Sequence, residues 1–431
     1  MVRPWRDATG PLVRMPNAER PLGFRRGVRR GEMMERVVRR LMCSLATLAT
    51  LVLVAAACSD DGDSSSTEGS STKVVSLGVL APIDGGLTDF GRGIRNSVEL
   101  AVREANAAKA VPGWTISVNA VDDSSDPKKA VTAVAGLVAD KNVAAVVGPY
   151  NSGVAVAVLP ALSKANLALL SPSNTLTSLT LGDNAASSKR PYPNYFRLVG
   201  SDARQGVFLA AQAIKLGYKK AAVVSETKAA GKGQADAFAT AYKAAGGTVT
   251  LQQTVPDGAT DFAGFITAAS ATSPDVVFFG GEYIVAAALR TQSAGKLNVP
   301  LMGGDGMKDA AFISKAGAAA TGSLASSVGF PAQITAGATA FAKAYSDAKF
   351  AEPPSDYGIY AYDAAKAIIR TLPASLKGAT TPEAARAAVV KALGGITFDG
   401  ASGSVAFDTF GDPKTASFTL YKVTGTDWVA Q

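Results

Sequence analysis

The chain has 431 residues, 47% of them hydrophobic, with two cysteines and no histidine. The lack of histidine excludes Ser-His-Asp and Cys-His nucleophile pairs and removes the commonest zinc ligand. The formal net charge is +8, but residues 1–57 hold 11 arginines against 4 acids, so the rest of the chain is near neutral and makes no case for nucleic acid.

The first 57 residues read as a leader rather than as part of a fold. Arg36, Arg39 and Arg40 precede an apolar run from Leu41 to Ala57, the n-region and h-region of a signal peptide. The run ends Val54-Ala55-Ala56-Ala57-Cys58, which resembles the bacterial lipobox, whose cysteine is lipidated and becomes the first mature residue. A plain membrane anchor is the alternative, and the run is short for one. Met33 or Met34 is an alternative start. Residues 59–72, SDDGDSSSTEGSST, cannot form a core and predict a flexible tether. Cys43 lies in the leader and Cys58 is the lipid site, so the folded part has neither disulfide nor thiolate chemistry. Neither a G-x-x-x-x-G-K-[ST] phosphate loop nor a G-x-S-x-G elbow occurs.

From Lys73 the pattern alternates between strand and helix. Lys73 to Leu80 predicts a buried strand, and Gly91 to Asn106 a helix with Ile94, Val98, Ala101, Val102 and Ala105 on one face. Thr115 to Val121 is the next strand. Asp126-Pro127 is a cap followed by a first-turn proline, opening a helix with Val131, Val134 and Val138 inward. Ala144 to Val147 is a strand buried on both faces. The turn Gly148-Pro149-Tyr150-Asn151 follows, then a helix from Ser152-Gly153. The strand Leu167 to Leu170 ends in Ser171-Pro172-Ser173-Asn174-Thr175. Both small polar turns fall at the carboxyl ends of adjacent parallel strands, where open α/β sheets bind ligands. The free N–H groups and positive dipole end of the helix after Asn151 suit a carboxylate. Ser152 is therefore either a ligand hydroxyl or an ordinary N-cap.

The alternation then recurs. Helix 202–216 leads to strand Lys220–Ser225, and helix 232–245 to strand 248–254. Asp261 caps a helix with Phe262, Phe265, Ile266 and Ala269 on one face. Pro274 to Gly280 and Val299 to Met302 are further strands. Two sets of strand–helix units predict an α/β protein with two doubly wound parallel-sheet lobes. Helices at 335–349, 356–371 and 381–393, a hairpin over Phe398–Phe407 and a strand over Ala416–Val423 complete the chain and are shared between the lobes.

The segments LGVLAP, FGRGIRNSVELAVREANAA, DDSSDPKKAV, VAAVVGPYNSGVA, LLSPSNT, PDVVFFGGEY and LMGGDG, in this order, resemble the leucine/isoleucine/valine-binding proteins. These are extracytoplasmic receptors of ABC importers with the type I periplasmic-binding fold. The resemblance runs from about Val74 to the C-terminus. It implies three interlobe crossovers, near Gly200–Asp202, Val328–Pro331 and Asp412–Ser417. The first lobe is then 74–200 with 330–413, and the second 201–329 with 414–431; 58–73 is the lipidated cysteine and tether. The ligand carboxylate is expected at Ser152 and Thr175. The ammonium is expected at the Ser173 backbone, the Thr175 hydroxyl and Asp305. Phe90 is expected in the first-lobe wall, and Tyr150, Asn151, Glu282 and Tyr283 complete the expected site. Three departures stand out. Ala230 replaces a tyrosine, Gly280-Gly281-Glu282-Tyr283 stands for Gly-Gly-Tyr-Tyr, and Asp305 is one methylene shorter than the usual glutamate. The resemblance implies a monomer working with an ABC permease and ATPase, with no cofactor and no metal. A ligand-sensing lipoprotein and an exported hydrolase using a Ser-Lys pair are the competing functions.

Overall fold

The computed structural model describes residues 73–183, 189–329 and 335–431. The leader, Cys58, the tether to residue 72 and Pro331 lie outside the described residues. In chain order, the first part runs β1 (Lys73–Ala81), α1 (Thr88–Ala107), β2 (Trp114–Asp122), α2 (Pro127–Ala139), β3 (Val143–Val147), α3 (Ser152–Lys164), β4 (Ala168–Ser171), α4 (Ser178–Leu181) and β5 (Tyr195–Arg197). Next come α5 (Asp202–Lys215), β6 (Lys220–Glu226), α6 (Ala229–Ala244), β7 (Thr248–Val255), α7 (Ala263–Thr272), β8 (Val276–Gly280), α8 (Tyr283–Ser293), β9 (Leu301–Gly303), a 3-10 turn (Asp305–Met307), α9 (Ala310–Ala316) and β10 (Leu324–Val328). The last part is α10 (Ala336–Asp347), α11 (Gly358–Ser375), α12 (Pro382–Gly394), β11 (Thr397–Asp399), β12 (Ser404–Ala406), β13 (Phe418–Thr424) and β14 (Asp427–Ala430).

The strands build two large sheets. The first, in order β2-β1-β3-β4-β5, is parallel throughout. The second, β14-β13-β10-β9-β8-β6-β7, is parallel from β10 to β7, with β13 and β14 added antiparallel at one edge. The hairpin expected near Phe398 is the antiparallel pair β11–β12. Helices cover both faces of the first sheet. Leu77 and Val79 share a core with Phe90, Ile94 and Val98 of α1, while Leu80 and Val146 pack with Val134 of α2 and Val158 of α3. Burial on both faces explains why β3 is apolar at every position. α11 packs on α1 and α12 on β3, whereas β13 pairs in the second sheet. The chain therefore passes between the lobes after β5, after β10 and before β13.

Local chemistry accounts for the helix starts. The Asp126 carboxylate accepts from the Lys128 and Lys129 N–H groups ahead of α2. Thr381 accepts from Ala384 N–H ahead of α12, with Pro382 in its first turn. One facing differs from expectation. Val131 is 46% exposed, because the inward stripe of α2 is Ala130, Val134 and Leu137, and Val131 is turned a helical step away from it. The predicted strand Val299–Met302 is displaced to Leu301–Gly303; Pro300 has no N–H to give a ladder.

Candidate functional site

The site begins at the end of β3. Gly148 has φ +116°, and a Cβ there would lie 2.0 Å from the Leu80 carbonyl oxygen, so only glycine lets the chain turn here. The turn that follows is held by the loop after β4. Ser171 Oγ donates to Pro149 O at 3.0 Å, Ser173 Oγ to Tyr150 O at 3.0 Å, and Asn174 Nδ2 to Tyr150 O at 2.7 Å. The hydroxyl of Ser173 is thus committed to the turn, while its N–H donates to Ser171 Oγ. Ser152 is the first residue of α3, and Asn151 holds the N-cap position. Its hydroxyl does not cap the helix; it accepts from Leu176 N–H at 3.3 Å. That contact ties the two ligand loops together.

A brace behind these loops was not apparent in the sequence. Arg197 on β5 is fully buried, and its Nη1 donates to the carbonyls of Asn174 and Leu176. Its Nε donates to Asp412 Oδ1 at 2.6 Å, and its Nη2 to Thr180 Oγ1 at 2.6 Å. The sequence offers no signal for it, since a single arginine in a short strand has no pattern.

Across the cleft, Asp305 follows β9 in the 3-10 turn and is 6% exposed. Tyr357 Oη donates to its Oδ2 at 2.8 Å and Gln234 Nε2 to its Oδ1 at 3.2 Å. Burial raises the Asp305 carboxyl above its ordinary range, and the Tyr357 hydrogen bond only partly offsets it. Among the described residues it makes no ion pair. Asp202, the first residue of α5, is also fully enclosed, and burial pushes it up to about 7 against the pull of the nearby Thr175 hydroxyl.

Further along the second lobe, Glu226 ends β6. Its carboxylate accepts from the N–H groups of Gly258 and Glu282, at 3.2 and 2.9 Å. Burial, with the Glu282 charge next, raises its pKa. Lys228 Nζ donates to Glu282 Oε2 at 2.6 Å, and Asn151 Nδ2 from the first lobe donates to Glu282 Oε1 at 2.7 Å. Asp257 Oδ1 accepts from the Lys228 N–H and orders this turn. A Cβ on Gly280 would sit 2.2 Å from the Gly231 carbonyl oxygen, so β8 and the start of α6 touch backbone to backbone.

These groups enclose one cavity of about 170 Å³ between the lobes. It is lined by Tyr150, Asn151, Ser152, Ser173, Thr175, Glu282 and Asp305 of the expected set, and by Ala230 at the departed position. The structure adds Ser125, Glu226, Lys228, Gln234 and Tyr357. Two expected residues stand behind the wall. Phe90, fully buried, stacks on Tyr150 at 4.7 Å and meets Tyr283 and Tyr357 edge-on at 5.4 and 5.2 Å. Tyr283 is spent on the opposite lobe, its hydroxyl donating to Gly86 O at 3.1 Å. Burial pushes the Tyr150 and Tyr357 hydroxyls well above the ordinary phenol range, so both are neutral donors.

A helix N-terminus and hydroxyls on one lobe, a buried carboxylate on the other and three chain passages between them define a two-lobed binding receptor. The periplasmic binding protein family matches residues 74–427, and the chain belongs to that family. The Leu/Ile/Val-binding protein BraC3 of Rhizobium johnstonii is 30% identical over 355 residues, spanning 81% of this chain and 91% of that protein. Leu/Ile/Val-binding protein homolog 3 of Brucella melitensis is 29% identical over 389 residues, 89% of this chain and 96% of that one. Among solved structures, the branched-chain amino acid transporter substrate binding protein LivJ of Streptococcus pneumoniae, in complex with isoleucine, superposes with a TM-score of 0.72. It is 27% identical, over 83% of this chain and 99% of that chain. The leucine binding protein LivK of Thermotoga maritima shares the fold, with a TM-score of 0.73 at 22% identity over 83% of this chain and 97% of that one. The type I periplasmic-binding fold and the solute-binding role expected from the sequence are those of this family.

Proposed function

We propose that this chain is the lipid-anchored receptor of an ABC importer and that it binds a small α-amino acid between its lobes. The observation that carries the ligand class is Asp305. A buried carboxylate with two neutral donors and no cationic partner among the described residues suits an ammonium group. Across the cleft, the first turn of α3 with Ser152, and Thr175 beside it, suits the ligand carboxylate. The Ser173 carbonyl and the Thr175 hydroxyl are the further partners of the ammonium. Relatives named for leucine, isoleucine and valine support an amino-acid ligand.

Cys58 is the lipid attachment, 59–72 the tether, and a permease with its ATPase the partner of a monomeric receptor. The lobes comprise 74–200 with 330–413 and 201–329 with 414–431. Catalysis is not part of the reading, since family members are binding proteins and the chain has no histidine. Calorimetry of the soluble chain against a panel of L-amino acids and their amides tests the ligand class. One or more α-amino acids should bind, and Asp305→Ala should abolish that heat while the variant stays folded. Near-wild-type affinity in both Asp305→Ala and Ser152→Ala refutes the site.

A further inference from the structure

Two buried carboxylates of the second lobe meet around one pair of amides. Asp202 opens α5, just past the first chain passage between the lobes, and is 1% exposed. One turn further along α5, Gln205 Oε1 accepts from Gln234 Nε2 of α6, and the same Nε2 donates to Asp305 Oδ1 at 3.2 Å. Gly233 brings α6 against Asp202, since a Cβ there would lie 3.0 Å from Asp202 Oδ2. The surrounding cations are committed elsewhere. Arg197 faces Asp202 from β5, but its guanidinium is bonded to Asp412, Thr180 and two carbonyls. At the start of α6, Lys228 pairs with Glu282, and further along Lys232 pairs with Asp236 at the surface. Lys308, just past the Asp305 turn, pairs with Asp356, and Lys422 of β13, which packs on α5, is exposed. The tyrosines facing Asp305, which are Tyr150, Tyr357 and Tyr360, are neutral.

Two carboxylates enclosed together repel, and each is costly to keep charged away from water. Burial pushes Asp202 up to about 7; the Asp305 charge adds to the push, while the Thr175 hydroxyl and Arg197 pull back. An ammonium seated on Asp305 cancels that charge, and Asp202 then ionises. Resting on the amino-acid reading above, we propose that Asp202 and Asp305 share one proton before the ligand binds, and that the ligand's ammonium drives this proton out to solvent. The ammonium keeps its own protons, so the carboxyl pair passes one proton to the buffer for each ligand taken up. A site that loses a proton on binding grips more tightly as pH rises, by at most about tenfold per unit. The gain levels off above about 7, where Asp202 is already ionised without ligand.

The test is calorimetry of the soluble chain with L-leucine, L-isoleucine, L-valine, L-alanine, L-serine and L-glutamine, carried on with the tightest binder. At about pH 6.5, the binding heats in imidazole and in phosphate, which differ in heat of protonation, give the protons exchanged. Wild type should release more than about 0.3 proton per ligand, and its affinity should be at least about fivefold weaker at about pH 5.5 than at about pH 7.5. Asp202→Asn, which is not among the ligand's proposed partners, should still bind, with the release cut by about half or more and the pH profile flattened. Asp123 and Glu226, also raised by burial, are unaltered in that variant, so any release of theirs persists in it. Binding to wild type without proton release, or with uptake, overturns this inference and leaves the amino-acid reading standing. An undiminished release in Asp202→Asn also overturns it. Should that variant fail to fold, the wild-type comparison between buffers decides alone. Binding of none of the six overturns the amino-acid reading, and this inference with it.

Discussion

Replacing Asp202 by asparagine should flatten the pH dependence of folding. Asp202 opens α5 with both carboxylate oxygens buried, and the nearby Thr175 hydroxyl offsets only part of the cost of that burial. Burial pushes its carboxyl to about 7, against 3.8 when free. The folded protein therefore holds this proton more tightly than the unfolded chain. The resulting stabilisation is complete below the unfolded value and is lost as pH rises to the folded one. A gap of about three units, at about 1.4 kcal/mol each, is about 4 kcal/mol. Part of it belongs to the nearby Asp305 charge, so a change of about 2–4 kcal/mol is expected. Urea unfolding of the ligand-free soluble chain at intervals from pH 4 to pH 8 gives the assay. The stability of Asp202→Asn minus that of wild type should climb through this window. Asp123, which burial also pushes to about 7, titrates identically in both proteins and cancels in the difference. A difference that moves by less than about 1 kcal/mol, or falls with pH, refutes the reasoning.

Ser152→Ala should weaken ligand binding by about 1.5–3 kcal/mol, roughly ten- to over a hundredfold, read by calorimetry. Asp412→Ala should destabilise the fold by about 3–5 kcal/mol in urea unfolding, because it leaves the buried Arg197 guanidinium hydrogen-bonded only to the neutral Asn174 and Leu176 carbonyls and the Thr180 hydroxyl. Cys58→Ser should leave the fold intact and detach it from membranes or leave it uncleaved; mature wild-type protein starting anywhere but residue 58 rejects the anchor. Small-angle scattering should show a more compact particle with a tight ligand than without one, and identical profiles count against hinge closure.

Much of this molecule is written locally. Apolar runs such as Val143–Val147, amphipathic stripes such as that of α1, and cap-plus-proline starts at Asp126 and Thr381 each follow from a few adjacent residues. The two small polar turns after β3 and β4 were legible for the same reason, as parallel strands put them side by side. What was hidden depends on distant partners. β10 reads Leu-Ala-Ser-Ser-Val, and only its place inside the second sheet makes a strand of it. Arg197 and Asp412 meet across 215 residues. Lys228 and Tyr357 enter the cavity from turns whose own composition shows nothing. The role of Ser152 was half legible: its place at a helix start could be read, but its contact with Leu176 could not.

The contacts that bridge the cleft bear on how faithfully such a receptor reports. Asn151 to Glu282, Tyr283 to Gly86, Tyr357 to Asp305 and Lys308 to Asp356 all join the two halves through the chain's own atoms. None of them requires cargo. Each raises the share of empty molecules already shut, which lowers the apparent dissociation constant by the same factor. In the importer proposed above, the same bias would blur the message passed on. A permease that sensed only the shut outline would be visited by receptors carrying nothing, and fuel would then be consumed without import. Grip and honesty of signalling are set by one group of hydrogen bonds, so strengthening the first degrades the second.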